Sequence, residues 1–180
     1  LEQIANILAG DGSEAPEVLA MRFSHVTRFG LIDLDARSPY RSLEMYAKIA
    51  RSAAALQLRV SLCRSSDSGG WHVYLWVSDR VPTHLMSRAL FAIAQGAGID
   101  QFRDGICEVY PDFGRLNKAV RLPGQPGFAW LSHETGMPTR EFATTDTTSR
   151  FECLVLGARV SAVSPEKLHT ACHSFMHRQA

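Results

Sequence analysis

The sequence predicts an α+β fold built in the order β-α-β-β-α-β, and three observations carry that reading. Short apolar segments alternate with period two, two stretches repeat their apolar residues at helical spacing, and Gly, Pro, Ser and Asp cluster at the joins between them. The first strand is Phe29-Gly-Leu-Ile-Asp-Leu-Asp35, closed by Ser38-Pro39. Ser42 to Leu56 follows as a helix with Leu43, Tyr46, Ile49, Ala50, Ala53 and Leu56 on one stripe. Leu58 to Cys63 and Trp71 to Val77 alternate as strands around the turn Ser65-Ser-Asp-Ser-Gly-Gly70, which makes them a hairpin. Pro82 to Ala97 is the second helix, with Leu85, Met86, Ala89, Leu90 and Ile93 inward and Gly96 and Gly98 at its end. Gly105 to Tyr110 is the last strand, stopped by Pro111.

That order is shared by ferredoxin-like domains, RNA-recognition modules (RRMs) and polymerase palms, and it has a geometric consequence. Right-handed crossovers place the first strand in the centre, with the third and fourth as its antiparallel neighbours. The expected core is thus RRM-like, an antiparallel sheet over about residues 28–124 with helices on one face and further α/β elements at both ends. Ile32, Leu34, Val60, Leu62, Val73, Leu75, Val77, Cys107 and Val109 form one apolar set that must lie under the two helices. The opposite, open face is expected to carry Asp33, Asp35, His72, Tyr74, Trp76 and Glu108. Because the neighbours run antiparallel to the first strand, its two aspartates meet His72 and Glu108 at one end of the sheet.

Composition sets the bounds. A chain of 180 residues, 46% apolar and 21% charged, is one ordinary domain with a core of its own. Lys+Arg of 19 against Asp+Glu of 18 leaves a formal charge of +1, so a nucleic acid would have to be held locally. The basic residues are nearly all Arg, a bias that a GC-rich genome explains as well as phosphate recognition does. Cys63, Cys107, Cys153 and Cys172 form no C-x-x-C pair and read as reduced core thiols of a cytoplasmic protein. No stretch reaches the roughly twenty apolar residues of a membrane helix. The start at Leu1, without Met or a signal-peptide pattern, gives the expectation of a fragment of a longer polypeptide.

The chemistry lies in the acids. Two aspartates at i and i+2 on one strand face, beside a third carboxylate, stay ionised together only if a cation offsets their repulsion. Mg2+ or Mn2+ with oxygen ligands answers that need, and two such ions form the clamp used for in-line nucleotidyl displacement. Ser68-Gly69-Gly70 and His72 offer amides, a hydroxyl and an imidazole to a triphosphate, and Lys118 and Arg121 add positive charge at the same mouth. Tyr74 and Trp76 are read either as packing for a loop or as a stacking platform for bases. His169, His173 and His177 share a helix face, Leu1 to Ala9 is helical, and Thr144 to Ser149 reads as a plain loop.

Ile32-Asp-Leu-Asp35, Ser68-Gly-Gly-Trp-His-Val-Tyr74, and Glu108-Val-Tyr-Pro111 followed by Val120-Arg-Leu-Pro-Gly124 resemble, in order and spacing, the three motifs of the archaeo-eukaryotic primase superfamily. The likeness is greatest to the primase-polymerases of plasmids, phages and conflict or CRISPR-associated systems, and it covers Phe29 to Gly124. It implies divalent metals at Asp33, Asp35 and Glu108, with His72 and the Ser68 turn on the phosphates of an incoming nucleotide. It also implies a single-stranded DNA or RNA template, nucleoside triphosphates as substrates, and partner domains such as a helicase or nuclease in the same polypeptide. Many members carry Asp as the third acid; here Glu108 takes that place, with Asp104 and Asp112 as neighbouring alternatives. A rolling-circle nickase on a similar sheet would need a paired His-hydrophobic-His, and His72-Val-Tyr74 supplies one histidine. A non-catalytic RRM-like nucleic-acid-binding module would place aromatics where Asp33 and Asp35 stand.

Overall fold

Strand β2 (Val26–Leu34) lies inside the sheet because its second half buries apolar side chains on both faces, Ile32 and Leu34 on one and Leu31 on the other. In the computed structural model, which describes residues 20–112, 114, 118–125, 127–141 and 157–179, it pairs antiparallel with β4 (Trp71–Pro82) on one side and with β5 (Cys107–Tyr110) on the other. Strand β3 (Ser61–Arg64) pairs with β4, and the sheet continues through β7 (Ala129–Leu131) to β8 (Pro138–Glu141). The result is a six-stranded antiparallel sheet of order β5-β2-β4-β3-β7-β8. The first predicted strand therefore does lie between the third and fourth. The helix expected at 1–9, the loop at 144–149 and Cys153 lie outside the described residues.

Helix α1 (Leu43–Ala55) begins where Ser42 caps it, its hydroxyl accepting the Met45 amide at 3.1 Å. Helix α2 (Thr83–Gly96) starts directly after Pro82, with the Thr83 amide donating to the His25 carbonyl at 2.9 Å. Tyr46, Ile49 and Ala53 of α1 and Met86, Leu90 and Ile93 of α2 cover the apolar set read from the sequence, with Val60 at its margin. A third helix, α3 (Pro165–Gln179), adds Leu168, Ala171 and Cys172 to the same core, and the Cys172 thiol donates to the Leu85 carbonyl. Helix α3 carries His169 and His173. Gly30 lets α2 come close: a Cβ there would lie 2.6 Å from Leu90 Cδ1 and 2.7 Å from the Tyr110 carbonyl oxygen.

The other face departs from expectation, since it is not open. Strands β1 (Ala20–Arg22) and β6 (Ala119–Arg121) form a two-stranded ribbon, and Phe23, Val120 and Phe128 close a second core over Leu31, Cys63, Tyr74, Trp76 and Tyr110. Every residue from Trp71 to Val77 is buried. A strand buried on both faces reads as a continuous apolar run, and Tyr74 and Trp76, counted as polar-facing, belong to such a run. The rings of Tyr74 and Trp76 stack on each other at 4.7 Å. Their exposures of 0% and 7% rule out the base-stacking platform in this arrangement and leave the packing alternative.

Two strand starts also move. The Leu58 amide donates to the Ala53 carbonyl at 2.9 Å, closing α1, so β3 begins only at Ser61. The Arg103–Ile106 turn, with Gly105 at a φ of +78°, delays β5 to Cys107. Cys63, Cys107 and Cys172 are free and buried. Burial, with the nearby Asp33, Glu108 and Asp35 carboxylates, pushes the Cys107 thiol up to about 12, so it packs as a thiol. Among the described residues no helix is long and apolar enough to cross a membrane.

Candidate functional site

Register builds the site. Asp33 stands directly opposite His72 on β4 and directly opposite Glu108 on β5, so three residues far apart in sequence form one row across the sheet. Asp35 lies just beyond the end of β2, where its carboxylate accepts the Gly105 amide and feels Asp33. Burial first, and the Asp33 charge second, hold the Asp35 carboxyl above the usual carboxylate range. Burial likewise raises Glu108, whose side chain is 18% exposed, against the lowering effect of Lys118.

Lys118 reaches into this row from the residue before β6. Its ammonium donates to Glu108 Oε1 and to Asp104 Oδ1, and these two carboxylates, Asp104 first, hold it protonated well above the ordinary lysine value. Asp104 sits outside the strand, in the turn ahead of β5, and arrives at the site through that turn. Lys118 was expected at the phosphate mouth; here it lies on the acids. Asp112 contacts instead the Gly114 amide at 2.9 Å, within its own loop.

His72 is 4% exposed. Its Nε2 lies 3.5 Å from Asp33 Oδ2 and its Nδ1 lies 3.1 Å from the Tyr74 hydroxyl, so both ring nitrogens face partners within the sheet. In this arrangement the imidazole orients Asp33 rather than reaching out toward solvent.

The Ser65–Gly70 turn packs against the same end of β2. A Cβ on Gly70 would lie 3.0 Å from Ser65 Oγ and 3.6 Å from the Leu34 carbonyl, and Gly69 holds a φ of +86° that favours glycine. The turn is partly self-satisfied, because the Gly69 amide donates to the Ser66 carbonyl at 3.0 Å. Ser68 remains exposed, its hydroxyl 2.7 Å from that of Ser66. Arg41, which the sequence reading did not single out, donates from Nε to the Gly69 carbonyl at 2.6 Å and lies over the Trp71 ring at 5.2 Å. Its place just before the cap of α1 was the available signal. Arg121 lies near Asp67 of the turn, and burial lowers its guanidinium pKa.

The structure thus brings Asp33, Asp35, His72, Glu108 and Lys118 together at one sheet end. Ser68, Gly69, Gly70 and Arg121 form an adjoining rim. The donors suit a hard divalent cation in kind, since carboxylate oxygens dominate and a cation of the chain's own, Lys118, already sits on two of them. In geometry the site is not closed: among the described residues no group of three or more His, Cys, Asp or Glu side chains is arranged to hold a metal. Comparison with models of known protein families and with curated proteins gives no match to this chain.

Proposed function

We propose that this chain is the catalytic core of a template-directed nucleotidyltransferase, a primase or primase-polymerase on an RRM-like sheet. One observation carries the reading: Asp33 faces both His72 and Glu108 in register, with Asp35 beside it and a Ser-Gly-Gly turn packed on the same strand end. The β5-β2-β4-β3 order within the sheet supports it, being the order that the split βαβ chain order entails. Asp33, Asp35 and Glu108 would hold Mg2+ or Mn2+, which when bound supplies activation of a 3′-hydroxyl and charge neutralisation on a pyrophosphate. The chain's own residues do the rest. His72 fixes the orientation of Asp33, the second core packs beside the acid row on the same face of the sheet, and Ser68 with Arg41 and Arg121 presents hydroxyl and positive charge to a triphosphate. A single-stranded template would then lie along the rim rather than on the aromatic face, which the ribbon covers.

The test is incubation with a single-stranded template, Mn2+ or Mg2+ and labelled nucleotides, with and without a primer. Incorporation that is lost in Asp33→Asn and falls by orders of magnitude in Glu108→Gln supports the proposal; folded wild-type protein that incorporates nothing under any of these conditions overturns it. A non-catalytic nucleic-acid-binding domain is the second reading, favoured by the Lys118 contacts that already compensate Glu108 and Asp104. Template binding without incorporation would select it.

A further inference from the structure

Lys118 is the one feature of the site that the proposed chemistry leaves without a reason. A lysine meant only for phosphates would be expected at the glycine turn, yet its ammonium sits on the acid row, bonded to both Glu108 and Asp104. The acids around it explain the position. Asp33 and Asp104 both act on Asp35, Asp104 acts on Glu108, Glu108 stands opposite Asp33 in register, and the histidine of the row faces Asp33. An ammonium on Glu108 and Asp104 offsets the part of that repulsion that these two acids carry. Its side chain is 28% exposed, so water reaches it.

We infer that Lys118 is a resident counter-ion of the acid row, which a divalent cation must displace in order to bind. The inference rests on the metal reading above and adds its regulation. While the ammonium occupies Glu108 and Asp104, the third acid is withheld from a metal, and that side of the site stays compensated without one. When a divalent ion arrives, the ammonium loses its place and becomes available to a phosphate oxygen, a stronger acceptor set than open solvent. Metal and lysine therefore compete, and a nucleotide carrying negative charge draws the lysine off and eases the entry of metal.

The competition has a signature that ordinary structural support lacks. Replacing Lys118 by Met should tighten metal binding while weakening the metal-free protein. Mn2+ titration followed by electron paramagnetic resonance, without nucleotide, reads the first; melting in EDTA and in saturating Mn2+ reads the second. Lys118→Met and Lys118→Gln are expected to bind Mn2+ about tenfold more tightly than wild type, the scale of losing one close competing charge in a partly solvated site. Their melting temperatures should fall in EDTA and recover more in Mn2+ than the wild-type value does, while Lys118→Arg should stay near wild type in both measurements.

Asp33→Asn separates the two levels of the argument. If wild type binds Mn2+ and Asp33→Asn does not, the metal reading stands, and unchanged or weaker Mn2+ affinity in folded Lys118→Met or Lys118→Gln then overturns the counter-ion role alone. If neither wild type nor the Lys118 variants bind Mn2+, the metal reading falls and this inference falls with it.

Discussion

Asp35 shows how much a single carboxylate is asked to tolerate. It is partly buried, next to Asp33 and within reach of Asp104, with only the Gly105 amide and His72 acting the other way. A raised carboxyl pKa means that the folded chain takes up a proton more readily than the unfolded one. Its contribution to stability is therefore full below the ordinary carboxylate value of about 4 and is lost as pH rises through the raised value. Glu108 shifts in the same direction, mainly by burial. In metal-free buffer Asp35→Asn should accordingly melt higher at neutral pH, by about 2–4 °C for about 1 kcal/mol after allowance for solvent screening, and should lose less stability between acid and neutral pH. Melting curves that track wild type across that range would show that the repulsion is already relieved. The residues of the row were legible in the sequence because strand alternation fixes a face. Arg41 was not, and Asp104 was named only as an alternative to Glu108, because both lie in turns, where no period tells which way a side chain points.

At the level of elements, α1, α2 and the four strands of the predicted core were legible for a common reason: each has a period and a stop. Ser42 caps α1 and Pro82 opens α2 close to where the sequence placed them. Strands β1, β6 and β7 are three residues long, too short for any alternation to show. The contact between β2 and α2 is a direct test of the packing, because Gly30 leaves space only for hydrogen. Gly30→Ala should destabilise the chain by about 1–3 kcal/mol, since the added methyl meets a backbone carbonyl of β5 as well as Leu90 and Met86, and the carbonyl cannot rotate aside. Denaturant unfolding checks this, and a loss well under that range would mean that α2 is free to shift outward.

For the molecule as a whole, the sheet is a middle layer between two cores, and the acid row sits on its end. The second core escaped the sequence reading because parity put Tyr74 and Trp76 on an open face, with packing under a loop kept only as an alternative, while the segments that cover them, around Phe23, Val120 and Phe128, lie far away in the chain. This arrangement predicts a dissociation of effects at Trp76. Trp76→Ala should cost about 3–5 kcal/mol, as a core aromatic does. Trp76→Phe, which retains an aromatic ring, should cost less and leave single-stranded DNA affinity unchanged; lost affinity in stable Trp76→Phe would restore the stacking platform. The layering also divides the site by the kind of opening that each part permits. The amides of Ile32 and Asp33 lie in the paired centre of the sheet, whereas those of Ser66 to Gly69 belong to a surface turn closed by few bonds. Amide hydrogen exchange should therefore be slowest in β2 and β4, governed by global unfolding, and fast in the turn, governed by local opening. Exchange at Ile32 and Asp33 as fast as in the turn would show that the sheet centre opens independently. An acid row held in the paired sheet beside a turn closed by few bonds puts local opening on one side of the site, so on the proposed reading a ligand would enter and leave over the glycine turn.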